Sequence, residues 1–184
     1  MSNLKELTWE HHKNAERQAF VKEMFAKEPQ ISHKRYATYL WNQFPGYDVL
    51  EALAMMHGLF DDIPEIRRAP SIMEDFLELW DDNEPMPTAL PVVDEYLKYL
   101  KSISNDKSKL MAHVYVRHMG DLSGGQMIAK RVPGTGKFYQ FNGDTEEIKN
   151  RIRLKLDDSM ADEAKVCFDF ATKMFQQLGE ANES

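Results

Sequence analysis

Four times along this chain a capping oxygen stands three residues before an acid: Asn3 before Glu6, Ser71 before Glu74, Asp144 before Glu147 and Ser159 before Asp162. An oxygen at that spacing accepts from the free N–H groups of a helix's first turn, and the acid favours the positive end of the helix dipole. Helix is therefore the dominant local state. The helical segments read as residues 4–26, ended near Pro29, then 32–59, 71–80, 91–101, 107–131, 145–156 and 160–178. Pro45-Gly46 interrupts the second, where a kink or break is expected because proline removes a donor and crowds the preceding turn. Loops fall at 61–64, 81–87 and 132–144, and only the last carries strand-like residues, Phe138 to Phe141, too few for a sheet. The expected fold class is all-α, a compact helical bundle forming one domain over residues 1–184, with short flexible tails at 1–3 and 179–184.

Composition narrows the function. A chain of 184 residues with 42% hydrophobic content supports one substantial core. No apolar run approaches the roughly 18–20 residues that span a bilayer, and residues 1–10 lack the apolar region of a signal peptide. Cys167 is the only cysteine, which rules out a disulfide framework and Cys-based zinc or iron–sulfur sites and points to a reducing cytoplasm. The net charge of −7 argues against nucleic acid or an anionic membrane as partner. If the ligand is a small anion, its cations must be concentrated locally.

The most unusual stretch runs from His113 through Tyr115, Arg117, His118, Gly120, Asp121, Ser123, Gly124 and Gly125 to Gln126. A helical pattern enters and leaves it, yet each glycine inside a helix costs about 1 kcal/mol relative to alanine. Such a cluster suits a kink, close helix packing, or a backbone that lies against a flat ligand. Leu122 to Gln126 also spells the signature pentapeptide of ABC-type ATPases. No phosphate-binding loop accompanies it: Gly134-Thr135-Gly136-Lys137-Phe138 lacks the upstream glycine and the Ser/Thr.

The longer string resembles the distal-helix motif of heme oxygenases, Tyr-x-Arg-x-x-Gly-Asp-Leu-Ser-Gly-Gly, matched by Tyr115, Arg117, Gly120, Asp121, Leu122, Ser123, Gly124 and Gly125. The resemblance covers about residues 5–178. It implies a heme sandwiched between a proximal helix and a kinked distal one. His12, followed by Ala15 and Glu16, matches the family's proximal iron ligand and its supporting carboxylate, whereas His11 does not fit that spacing. Lys5, Tyr115, Lys149 and Arg153 match residues that reach the heme propionates, and Phe168 and Phe175 match residues lining the pocket. Ser123 and Gly125 belong to the heme-facing motif. Gly120 and Gly124 would bring bare backbone close to bound dioxygen, while Asp121, through water held by Arg117 and Tyr47, would deliver protons. His118 stands where many members have an aromatic residue, and the loop after Arg131 is shorter than usual; neither is expected to touch a site residue.

The resemblance implies an oxidoreductase that turns heme, both substrate and cofactor, into biliverdin IX-alpha, carbon monoxide and ferrous iron using dioxygen. No hydrophobic C-terminal anchor follows Leu178, which favours the soluble bacterial and phototroph type. The expected partners are a ferredoxin or similar reductase and a downstream bilin reductase, with the protein monomeric. A non-catalytic heme carrier or sensor is the alternative, although it needs no proton-delivering Asp121. A di-iron bundle requires Glu-x-x-His pairs, and none occurs. A helical interaction protein leaves the long motif unexplained.

Overall fold

A computed structural model describes residues 2–181. It contains α1 (Leu4–Leu7), α2 (Trp9–Glu16), α3 (Ala19–Phe25), α4 (His33–Met56), α5 (Ala69–Leu79), α6 (Pro91–Ser102), α7 (Lys107–Leu122), α8 (Gly125–Ala129), α9 (Thr145–Arg153) and α10 (Ala161–Glu180). Short 3-10 turns occupy Pro64–Ile66, Lys137–Tyr139 and Asp158–Met160, and there is no strand among the described residues. The all-α expectation holds.

Local chemistry explains where the segments divide. The expected first helix is three pieces. At Thr8 the hydroxyl donates to the Leu4 carbonyl (2.6 Å) and the backbone leaves helical geometry, and at Gln18 it becomes extended. The 107–131 segment bends as anticipated: Ser123 (φ −111°, ψ −89°) separates α7 from α8. Of the kink or break expected at Pro45-Gly46, the break is corrected, because α4 runs unbroken through Pro45. Its packing against α5, α6 and α7 along its length holds the helix despite a missing bond. Gly46 serves a neighbour instead, since a Cβ there would lie 3.0 Å from Tyr96 Cδ2.

Of the four capping signals only Asp144 acts as read, accepting from the Glu146 and Glu147 amides. Ser32 and Asp106 cap α4 and α7. α5 starts at Ala69, before Ser71, because Glu51 of α4 accepts from the Arg68 and Ala69 amides (2.6 and 3.0 Å). At the expected tails, Asn3 N donates to Asp158 Oδ1 (2.6 Å) and α10 continues through Gly179 and Glu180. Met1 and residues 182–184 lie outside the described residues.

Two apolar clusters fill the interior. Leu50, Leu100, Leu110, Val114, Ile148 and Ile152 join α4, α6, α7 and α9. Phe20, Tyr36, Leu40, Ile72, Phe76 and Phe138 join α3, α4, α5 and the 137–139 turn. α10 packs across α2, α3, α6 and α7, so it fixes the amino-terminal helices against the one that carries the glycine-rich motif. No helix among the described residues is long and apolar enough to cross a membrane.

Candidate functional site

The bend between α7 and α8 exposes backbone where a regular helix would present side chains. Gly120, Ser123 and Gly124 are exposed, while Asp121 and Gly125 are buried. The three glycines serve different ends. A Cβ at Gly125 would lie 2.5 Å from Tyr139 Cδ1, so internal packing demands glycine there. At Gly120 a Cβ meets nothing within 4 Å, and at Gly124 only the Gly120 carbonyl at 3.9 Å. Packing within the protein does not explain these two glycines. They leave a bare backbone face turned to open space.

The residue after Gly120, Asp121, is buried. Its carboxylate accepts from the Tyr47 hydroxyl, 2.8 Å to Oδ2 and 3.1 Å to Oδ1. Burial pushes the Asp121 carboxyl up to about 7, against the opposing pull of His118, the Tyr47 bond, Arg68 and Arg117. The group therefore changes protonation state near neutrality. Arg117 is beside Tyr47, its guanidinium 5.6 Å over that ring, but its Nε donates to the Tyr96 hydroxyl (3.0 Å) and not to Asp121.

Two neighbours were expected to stay clear of these residues and do not. His118 is fully buried, sits edge-on to Tyr47 (5.4 Å between centroids), and places Nε2 2.8 Å from Glu51 Oε2. The loop after Arg131 also reaches the site. Phe138 packs edge-on to Tyr47 (5.5 Å), and the Gln126 side chain donates to both Asp121 O and Tyr139 O. The short loop is thus stitched to the carboxylate's own helix.

His12 on α2 places Nε2 2.7 Å from Glu16 Oε1, and its ring stacks on Phe168 of α10 (5.1 Å, 15°) with Trp9 edge-on. One nitrogen is thus occupied by a carboxylate and the other has no hydrogen bond among the described residues. His11 is tied to Asp169 Oδ1 (2.8 Å). Phe175 belongs to a different aromatic group, stacking on Phe20 and Tyr39.

The predicted cations divide by how far they are engaged. Lys5 has no partner among the described residues and borders an open depression of about 440 Å³ with Glu6 and Trp9. Arg153 donates to Asn150 Oδ1 (2.8 Å) and lies near enough to Tyr115 to influence it. Lys149 is mostly covered and paired with Glu146 (3.2 Å).

Sequence reasoning gave no role to a buried polar chain on the other side of Arg117. Tyr96 OH is 2.7 Å from His113 Nδ1, whose Nε2 is 2.8 Å from Glu163 Oε2. A signal existed: residues 113, 117 and 121 recur every four positions, polar on one face of a helix. Glu51 and Arg68 carried no such signal. No group of three or more His, Cys, Asp or Glu among the described residues could hold a metal ion by itself.

Comparison with known proteins gives a consistent picture. Residues 1–177 match the heme oxygenase family profile. The chain is 30% identical to a heme oxygenase of Guillardia theta, over 95% of this chain and 84% of that one. It is 27% identical to heme oxygenase 2 of Macaca fascicularis, over 98% of this chain and 66% of the macaque protein. Among solved structures it resembles heme oxygenase-1 of Synechocystis sp. PCC6803 in complex with heme (TM-score 0.80, 25% identity, 96% of this chain and 90% of that one). It also resembles the heme oxygenase of Leptospira interrogans (TM-score 0.78, 29% identity, 94% and 96%).

Proposed function

Since this chain belongs to the heme oxygenase family, we propose that it opens heme oxidatively to biliverdin IX-alpha, releasing carbon monoxide and ferrous iron. Dioxygen is the co-substrate, and electrons come from a ferredoxin or similar reductase. Bound heme supplies the iron at which dioxygen is reduced and the ring carbon that is oxidised. The observation that carries this reading is the buried Asp121–Tyr47 pair in the same motif as two glycines whose absent Cβ atoms face open space. A flat ligand fits against such a face, and a carboxyl that titrates near neutrality one residue from Gly120 suits proton delivery.

The chain's residues divide the work. His12 is the iron-ligating side chain, oriented by Glu16 and backed by Phe168. Gly120, Ser123, Gly124 and Gly125 shape the opposite wall, and Phe175 lines the apolar interior. Asp121 holds the proton, Tyr47 fixes its carboxylate, and Arg117 fills the space beside Tyr47 with a donor-rich group that can order water. Lys5, Arg153 and Tyr115 take the propionates, joined by Lys149 once it leaves Glu146.

An acidic ferredoxin would dock at this positive edge. The product would pass to a bilin reductase, and the protein would act as a cytoplasmic monomer of the soluble bacterial and phototroph type.

Adding hemin to the purified protein, then reduced ferredoxin and air, should replace the Soret band with bile pigment absorbance. A stable heme complex that never yields pigment would overturn the oxygenase reading in favour of a carrier. His12→Ala should change the ferric heme spectrum while leaving stability within about 1 kcal/mol, because a half-exposed pair contributes little to folding. An unchanged spectrum would assign the ligand elsewhere.

A further inference from the structure

Arg68, at the start of α5, is only 4% exposed, yet no carboxylate among the described residues reaches its guanidinium. Its donors go to five backbone carbonyls: Ile66 (3.1 Å), Glu65 (3.0 Å), Phe138 (2.8 Å), Gln140 (2.7 Å) and Lys137 (3.4 Å). The Phe141 ring covers it at 3.8 Å. A buried cation without a counter-ion is costly, so a charge must offset it through space. Asp121 is in the complementary position, a buried carboxylate whose hydrogen-bond donor is a neutral hydroxyl. The other acids near Arg68 are already occupied, Glu51 by His118 and two backbone amides and Asp75 by the Lys137 and Phe138 amides. A short hydrogen-bonded route links the segments that carry the two charges. Arg68 holds the carbonyls of Phe138 and Gln140, and Gln126 ties the carbonyl of Tyr139, between them, to that of Asp121.

We propose that Arg68 is a positioning residue for Asp121, pinning the 137–141 segment against the glycine-rich bend and supplying the buried counter-charge for the Asp121 carboxylate. The inference rests on the reading of Asp121 as the proton-holding group. Burial disfavours the charged form of Arg68, and Asp121 is the strongest influence opposing it, with Glu51 next. The titratable and charged groups around Asp121 are Tyr36, Tyr39 and Tyr47 of α4, Arg68, Arg117 and His118 on its own helix, and Tyr139 of the loop. Of these, Arg68 is the charged residue that lies far from Asp121 in sequence and outside the motif.

The test uses heme-free protein, so failure to make bile pigment would not affect it. The Asp121 carboxyl is followed by infrared difference titration, assigned by its loss in Asp121→Asn. Arg68→Gln keeps donors for the carbonyls but removes the charge. It should raise the Asp121 midpoint by about one pH unit, a tenfold gain in proton affinity. Arg68→Lys keeps the charge, so its midpoint should stay close to wild type while amides of residues 137–141 exchange faster. A folded Arg68→Gln protein with an unmoved midpoint overturns the proposal. If Arg68→Gln does not fold, Arg68→Lys decides: a wild-type midpoint supports the charge role, and a rise of about one unit refutes it.

Discussion

At the scale of the residue, the consequences of burying Asp121 can be worked out with their sign. An aspartate in an unfolded chain titrates near about 3.9, whereas burial pushes this one up to about 7. Between those values the folded protein holds a proton that the unfolded chain has released. Stability therefore falls as pH rises through that window, and the loss is complete above the folded value. Asp121→Asn carries no charge and can still accept from Tyr47. Its stability relative to wild type should rise by on the order of 1–3 kcal/mol between about pH 5 and pH 8. Urea unfolding at both pH values measures this, and a difference independent of pH would contradict it. On the proposed function, with the neutral carboxyl delivering the proton, pigment formation should decline above about pH 7. Asp121 itself was legible in the sequence because its motif is contiguous. The groups that set its field were not. Arg68 lies far away in sequence, and His118, though adjacent in the motif, reads as a simple departure until Glu51 is found against it.

Among the elements, the α7–α8 bend separates a glycine that packing demands, Gly125, from two that packing does not explain, Gly120 and Gly124. Gly120→Ala adds a methyl that meets no neighbouring element within 4 Å, so it should leave folding intact or stabilise it by about 1 kcal/mol. Gly125→Ala drives a Cβ to 2.5 Å from Tyr139 and should cost about 1–3 kcal/mol. Thermal melts distinguish the two, and pigment yield should nevertheless fall at least about tenfold in Gly120→Ala, since the added methyl occupies the ligand's space. A fully active Gly120→Ala enzyme would mean that the bare backbone does not face the heme. Helix periodicity made α4, α6, α9 and α10 readable, and the glycine cluster located the bend. Two of the features that were missed share a cause. α5 is capped by Glu51 from another helix, and the 137–139 turn by Asp75, whose carboxylate accepts from the Lys137 and Phe138 amides (3.0 and 2.8 Å). Capping across tertiary contacts leaves no local pattern to find.

For the molecule as a whole, Glu51 is the junction. It is fully buried and joins α4 to the start of α5 and, through His118, to the helix that carries Asp121. Although burial pushes its carboxyl up, the His118 bond and the two amides hold it below the ordinary value. Glu51→Ala leaves two amides and an imidazole without their acceptor. It should cost about 3–5 kcal/mol in chemical denaturation, against less than about 1 kcal/mol for the exposed Lys98–Asp94 pair. Equal losses would show that the junction does not hold the helices together. The overall arrangement was legible as an all-helical bundle from periodicity and caps, whereas this buried polar frame depends on residues that meet only after folding. The open face at Gly120 and Gly124 has a consequence for how such a protein varies over time. A wall of peptide groups has no side chain to lose, and every substitution at those two positions adds atoms. Drift there runs in one direction, toward closing the face, and a descendant that has lost the activity can keep its fold while doing so.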